Sequence, residues 1–457
     1  MVRKLSSLGI PLLLLVLGAV LSFRSDEVDG GEPPSASSAN SHFSILGSSS
    51  CASSGCHGGG KPRNLGSEWN TWIDSDPHAK AYRILFNETS VRMARNLNLR
   101  DSQNRIVPAH ENMTCLKCHS PQATESSAHA DGVGCESCHG PAGKYGTVHY
   151  LDFWKNLTVE EKAKQYGLLA TKNIDFRIQQ CATCHVGNAE QDVDHNLIAA
   201  GHPRLLFEYS SFQHSPNYTP HWKEKTSNFE IRSWILGQIA IAKATLELTE
   251  ARALKKTNWP EFGEFNCQSC HHKIDDANFA SISKSTGMSP WNDWAFAMLP
   301  VIGTALSTKS EQLPELKSLE QLRKTMNEKP TDTQTILALT PQALQELECW
   351  SRILTAANSV RLENLPALKS AIAADILNAD SRTLRSPDWE SRMQHFLALA
   401  QLQYASGQKL SPELNAVFEK IRNQLKYQTG TNAPRSVPVE EQTQAWNALQ
   451  NTLTPKP

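Results

Sequence analysis

Residues 132–141 read Gly132-Val133-Gly134-Cys135-Glu136-Ser137-Cys138-His139-Gly140-Pro141, and the rest of the chain is best read outward from them. At their centre is Cys-x-x-Cys-His, the attachment signature of a c-type haem. The two thiols add to porphyrin vinyl groups as thioethers, and the histidine that follows lies near enough to become an axial iron ligand. The pattern recurs upstream at Cys115, Cys118 and His119, and downstream at Cys181, Cys184 and His185 and at Cys267, Cys270 and His271. A wider version, with four residues between its cysteines, stands at Cys51, Cys56 and His57. A Cys51–Cys56 disulfide is the alternative there, and the histidine directly after Cys56 favours haem. The expectation is five covalently attached haems c, held by ten of the eleven cysteines, with His57, His119, His139, His185 and His271 as proximal ligands.

Other readings of the cysteine pairs fare worse. Zinc ribbons also use paired Cys-x-x-Cys, but here a histidine follows every pair. A thioredoxin-like redox site needs one pair in an α/β context. The eleventh cysteine, Cys349, falls on a helical pattern within Glu348-Cys349-Trp350 and reads as a buried structural thiol.

Composition agrees with a protein organised by porphyrin. Hydrophobic residues make up 39% of 457 residues, low for a globular chain, and residues 51–275 would have to fold around five haems. The fold class expected is mainly α: a multihaem cytochrome c with haems forming much of its core, followed by a C-terminal helical region. The formal charge of −1 suggests no nucleic-acid partner. Two propionates per haem would make the loaded protein more acidic, so redox partner proteins with a basic patch are the expected partners.

Taken in order, the chain opens with Arg3 and Lys4 before an apolar run from Leu8 to Phe23. A basic start and a short apolar segment make an export signal, so residues 1–24 are a signal peptide or an N-terminal anchor. The location expected is periplasmic or otherwise exported, with a membrane tether if the segment is retained. Residues 25–50 read as a disordered linker, 276–430 as a C-terminal helical domain, and 431–457 as a tail. Helices are expected over 77–99, over 229–254 with Ile231, Ile235, Ile239, Ala242 and Leu246 on one face, and over 313–326, 341–362, 365–377, 389–404 and 412–425. Thr340-Pro341 and Ser411-Pro412 read as helix starts with proline at the first position.

Each haem iron needs a sixth ligand or keeps an open position. Nine histidines outside the motifs lie between residues 51 and 272, so supply exceeds demand. His202 sits in a rigid Gly-His-Pro setting, His195 and His221 are further candidates, and His272 follows the fifth motif directly.

Several segments together resemble the cytochrome c554 family. They are Trp72-x-x-Ser75-x-x-His78-Ala79-x-Ala81 after the first motif, the second motif, Gly132 to Pro141 with the trailing His149, and the fourth motif. The resemblance covers about residues 51–200 and is most specific at Gly132 to Pro141. It implies an exported electron carrier, in a wider set with hydroxylamine oxidoreductase and pentahaem nitrite reductase. It also implies distal ligation by His78 and His149, and it makes the haem at Cys115, Cys118 and His119 the candidate for an open site. Full coordination there by His110, His129 or another residue is the alternative. The widened first motif, the fifth motif and the long C-terminal region depart from the family pattern. Two functions follow: electron transfer through closely spaced, mostly bis-histidine haems, or an enzyme acting on nitrite, nitric oxide or hydroxylamine at one five-coordinate haem. All five motifs end in histidine, without the lysine that marks the catalytic haem of the pentahaem nitrite reductases, and this favours the carrier.

Overall fold

A computed structural model describes residues 43–453, except 62–63, 65, 123–127, 216–217, 219, 223–227, 256–258, 272–288, 293, 307–312, 356–359, 361, 379–388 and 427–436. The N-terminal segment expected to direct export, and His272, lie outside the described residues. The fold is mainly α: among the described residues the only β pairing is two isolated bridges, Arg100 with Ile106 and Phe265 with Trp291. No helix among these residues is long and apolar enough to cross a membrane.

The first half is built of short elements. Helices α1 (Glu68–Ser75), α2 (Glu88–Asn96), α3 (Met113–His119), α4 (Cys135–His139) and α5 (Val159–Tyr166) alternate with 3-10 turns. The single helix expected over 77–99 is instead two 3-10 turns, Pro77–Lys80 and Arg83–Phe86, followed by α2. Asn87 separates them, extended at ψ 162° and accepting from the Ser90 N–H as the N-cap of α2. Apolar packing here is confined to two small clusters, Leu85, Ala94, Ala109 and Leu116, and Ala142, Tyr145 and Trp154. These elements border a continuous cavity of about 4090 Å³.

The second half has a conventional core. It runs through α6 (Ile174–His185), α7 (His195–Ala200), α8 (Tyr209–Gln213), α9 (Phe229–Lys255), α10 (Leu299–Leu306), α11 (Lys317–Glu328), α12 (Thr333–Thr355), α13 (Leu365–Asn378), α14 (Trp389–Ala405), α15 (Pro412–Gln424) and α16 (Val439–Leu453). One apolar cluster extends from Ile178 to Leu449, across the position where the sequence suggested a division near residue 275.

Helix α9 is its axis. The sequence suggested one apolar face, yet ten consecutive residues, Ser233 to Ala242, are buried. A run that long circles a 3.6-residue helix almost three times, so every face is covered. The neighbours are α6 and α8, which precede it in the chain, and α10, α12 and α14, which follow it. Thus α9 holds the two halves together, and with α12 it also closes one side of the cavity through Lys243, Glu247, Leu344 and Arg352.

Pro341 does not start a helix. It lies inside α12, which begins about two turns earlier at Thr333. An interior proline removes one backbone donor. Side chains beside it bond neighbouring carbonyls: Thr340 Oγ1 donates to Ile336 O at 2.7 Å and Gln342 Nε2 to Ala338 O at 2.9 Å. Packing of α12 against α9 and α11 overrides the local signal. Ser411-Pro412 does start α15, the Ser411 side chain accepting from the Leu414 N–H at 3.1 Å. Cys349, expected to be buried, is half-buried on α12.

Leu236 is fully buried at the centre of α9. Leu236→Ala should lower unfolding stability by about 2–5 kcal/mol, the usual cost of a core cavity. Denaturant unfolding of the intact protein, followed by the far-UV helix signal, measures it.

Candidate haem site

The Gly132-Val133-Gly134 strip docks onto the segment that carries His78. The Val133 N–H donates to His78 O at 3.1 Å, and Trp72 Nε1 donates to Val133 O at 3.1 Å. Gly132 has φ +63°, and a Cβ there would lie 2.7 Å from His78 O. The glycine is therefore required both by backbone conformation and by close approach. Trp72-x-x-Ser75-x-x-His78 and Gly-Val-Gly-Cys, separate in sequence, are one packing unit in space.

Glu136, inside the third motif, is only 3% exposed and holds the chain before the first motif. Its carboxylate accepts from the backbone N–H groups of Leu46, at 3.0 and 3.1 Å to its two oxygens, Gly47 at 2.7 Å and Ala142 at 2.6 Å. Asp131 Oδ2 accepts from the Ser48 N–H at 2.6 Å, and the Cys135 N–H donates to Ser48 Oγ at 3.2 Å. The first motif is thus fastened to the third. The thiols of Cys51 and Cys135 are hydrogen-bonded to each other, as are those of Cys118 and Cys184. All the cysteines are free thiols, Cys51 and Cys56 included. These thiol contacts join the first motif to the third and the second to the fourth, not sequence neighbours. Gln180 Nε2 donates to Ser137 O at 3.4 Å and links the fourth motif to the third.

Each motif histidine faces one other histidine. The ring centroids are 6.1 Å apart for His57 and His149, 6.5 Å for His119 and His202, 6.0 Å for His139 and His221, 5.8 Å for His185 and His78, and 6.4 Å for His271 and His195. With about 2 Å for each nitrogen–metal bond and about 1.1 Å from nitrogen to ring centre, two imidazoles sharing one metal have centroids about 6.3 Å apart. All five separations lie within about half an ångström of that value. Among the described residues no group of three or more His, Cys, Asp or Glu is placed to hold a bare metal ion. Each site offers two imidazoles at that separation, and two imidazoles are an axial set that a porphyrin iron takes.

The far side of the rings supports the same fit. A histidine whose Nδ1–H is committed to an acceptor presents the bare lone pair of Nε2. The Nδ1 of His119 lies 2.9 Å from Ala81 O, that of His149 2.9 Å from Tyr145 O, and that of His202 2.7 Å from Pro203 O. Carboxylates take this place at His57, 3.1 Å from Glu68 Oε2, and at His78, 2.8 Å from Asp76 Oδ1. Burial disfavours charge on His78, but the Asp76 hydrogen bond and charge outweigh it and raise the pKa. Burial lowers His139 to about 4, helped by the charges of His221 and His57, and lowers His185 to about 4, helped by His78. Both are neutral at physiological pH, the form that binds a metal.

The cavity is lined by the cysteines of the first four motifs, their histidines, and His78, His149, His202 and His221. Its volume is several times the roughly 300–1,000 Å³ of an ordinary ligand pocket. The fifth pair, His195 and His271, lies outside it. The remaining histidines take other partners: His110 stacks on Phe86 with centroids 4.1 Å apart, and His214 Nε2 pairs with Glu230 Oε2 at 2.8 Å. The side chain of His129 is outside what is described.

Sequence reasoning passed over Glu68, Asp76 and Glu136. Asp76 had a readable signal, since an Asp before Pro77 is a helix-start pattern, and it does cap that turn by accepting from the His78 N–H at 2.9 Å. Glu68 reaches His57 only through folding of the intervening loop.

Gly132→Ala should destabilise the protein by about 1–3 kcal/mol, because the new methyl meets a carbonyl and the backbone is left-handed. A thermal melt reads it, and Gly60→Ala, at φ +76° in open space, separates backbone strain from the clash.

The family described as cytochrome c554 and c-prime matches residues 50–140, which hold the first three motifs. No curated protein and no solved structure matches the chain. The third motif's packing against Trp72 and His78, the opposed histidines and this match agree: over residues 50–140 the chain is similar to the cytochrome c554 and c-prime family, whose members bind haem c.

Proposed function

We propose that the protein is an exported c-type cytochrome that holds five haems, each between two histidines, and passes electrons among them without binding a substrate at iron. One observation carries this reading: every motif histidine is opposed by another histidine at a separation that fits one iron. Cys51 and Cys56, Cys115 and Cys118, Cys135 and Cys138, Cys181 and Cys184, and Cys267 and Cys270 would anchor the haems. When bound, haem supplies a reversible one-electron iron couple.

The residues do the rest. Filling both axial positions leaves no place for nitrite, nitric oxide or hydroxylamine. His202 opposite His119 closes the site that the family resemblance had left open. Backbone carbonyls at His119, His149 and His202 hold the imidazoles in one orientation, so ligation changes little between oxidation states. Asp76 and Glu68 add negative charge behind His78 and His57, which favours the oxidised state at those two sites. Export is supported by the basic and apolar opening of the chain, and redox proteins are the partners this chemistry calls for.

The mass of the exported protein should show five covalent haem additions, and Cys51→Ala/Cys56→Ala should show four. Low-temperature EPR of the oxidised protein should show low-spin ferric signals only, and carbon monoxide should leave the spectrum of the reduced protein unchanged. A stoichiometric high-spin signal, or rapid turnover of nitrite or hydroxylamine, would overturn the carrier reading and promote the enzyme.

A further inference from the structure

The fifth motif is the part of the haem-binding region that neither the family match nor the large cavity takes in. Cys267, Cys270 and His271 are exposed. The opposing His195 is edged by Phe262, which is 69% exposed, with ring centroids 5.5 Å apart. By contrast, the second motif sits on the cavity wall, with Leu116 buried behind it.

The tethers of this outlying site run toward the second motif. The His195 N–H donates to Glu261 Oε1 at 2.8 Å, at the start of the turn that leads into Cys267. Arg252 bridges the same turn to the loop after the fourth motif, with Nη1 2.8 Å from Glu264 Oε1 and Nη2 2.6 Å from Asp192 Oδ1. In that loop Gln191 Nε2 donates to Lys117 O at 2.6 Å, inside the second motif, and to Cys184 Sγ of the fourth at 3.4 Å. Nearest of all is Arg204, two residues beyond His202, which faces His119. Its guanidinium contacts Cys267 Sγ, donates to Gly263 O at 3.4 Å, and pairs with Glu390 of α14. One side chain thus joins the second site's opposing ligand, the fifth site's anchor and the C-terminal helices.

We propose that the site of Cys267, Cys270, His271 and His195 is the terminal electron port of this protein, joined to the other four through the second site, with Arg204 as the positioning residue at that junction. This rests on the five-haem reading above. The step at the port is outer-sphere: one electron passes to a ferric redox protein, whose iron becomes ferrous, and no bond forms or breaks. The Arg204 charge lies against Cys267 of the fifth site, two residues along the chain from His202 of the second, and favours the reduced states there. Removing it leaves the buried Glu390 carboxylate without that partner's charge.

Five proteins test this: the intact chain, Arg204→Gln, Arg204→Lys, His202→Met, and Cys267→Ala/Cys270→Ala. Haem is counted first by mass. Four additions in the intact chain, with Cys267 and Cys270 unmodified, would refute the five-haem reading itself. With five present, Arg204→Gln should keep all five and lower the midpoint potentials of two haems, identified by EPR-monitored titration as the fifth, whose signal is absent from the double variant, and the second, whose signal changes in His202→Met. Arg204→Lys should restore both potentials. Potentials that stay put, or that move at other haems, overturn the junction. The double variant, carrying four haems, should reduce oxidised monohaem cytochrome c about tenfold more slowly or worse, while dithionite still reduces all four. An unchanged rate overturns the port. If the double variant does not fold, the Arg204 titration decides.

Discussion

Two imidazoles about 6 Å apart, facing each other across a space that neither fills, are the constraint on which the motif-bearing half depends. Five of the ten rings are fixed from behind. His119, His149 and His202 are pinned by backbone carbonyls, His78 and His57 by carboxylates. The backbone around them is too short and too irregular to support itself. Among the described residues the first five helices share two small apolar clusters. A fold with so little aliphatic core needs another source of cohesion, and five covalent prosthetic groups ligated at both faces supply it in the reading advanced above.

The second half solves the opposite problem. Helix α9 is buried on all sides, which costs nothing in unsatisfied backbone because a helix bonds its own amides. It meets α6, which ends in the fourth motif, and α12, whose Ser351 Oγ bonds Asp175 Oδ2 of α6 at 3.0 Å. The helical region is therefore more than an appendage: α9 and α12 form a wall of the haem cavity, and α14 reaches Arg204 through Glu390. Buried charge clusters at this seam. Arg252 lies between two carboxylates, and Glu264 also accepts from Thr249 Oγ1 at 2.9 Å and Trp291 Nε1 at 3.0 Å. A network with every oxygen of Glu264 engaged fixes geometry where an apolar contact would slide.

Errors of local reading share a cause. Pro341 obeyed a sound rule for helix starts and was overridden by packing. The one-faced pattern in α9 was real, but neighbours exist on its other faces as well. The broken helix at 77–99 failed in the other direction: Asp76 and Asn87 are both capping residues, and each starts a new turn. Short side chains that bond nearby backbone end one element and begin the next.

The sequence by itself determined the chemistry. Thioether attachment needs two cysteines and a histidine at fixed short spacing, and such local geometry is written directly in the chain. It also determined the helical class and, through Trp72 to His78 and Gly132 to Pro141, the family resemblance. What it could not determine is pairing. A ligand opposite an iron is chosen by which backbone passes the other face of the porphyrin, and that is decided by contacts between distant segments: Glu136 with Leu46 and Gly47, Gly132 with His78, Gln191 with Lys117. Nine histidines were eligible as partners, and only tertiary structure set His149 against His57, His202 against His119, His221 against His139, His78 against His185 and His195 against His271. Motif order along the chain likewise did not give neighbourhood in space. Covalent spacing sets how far two motifs can separate, while packing sets which of them touch.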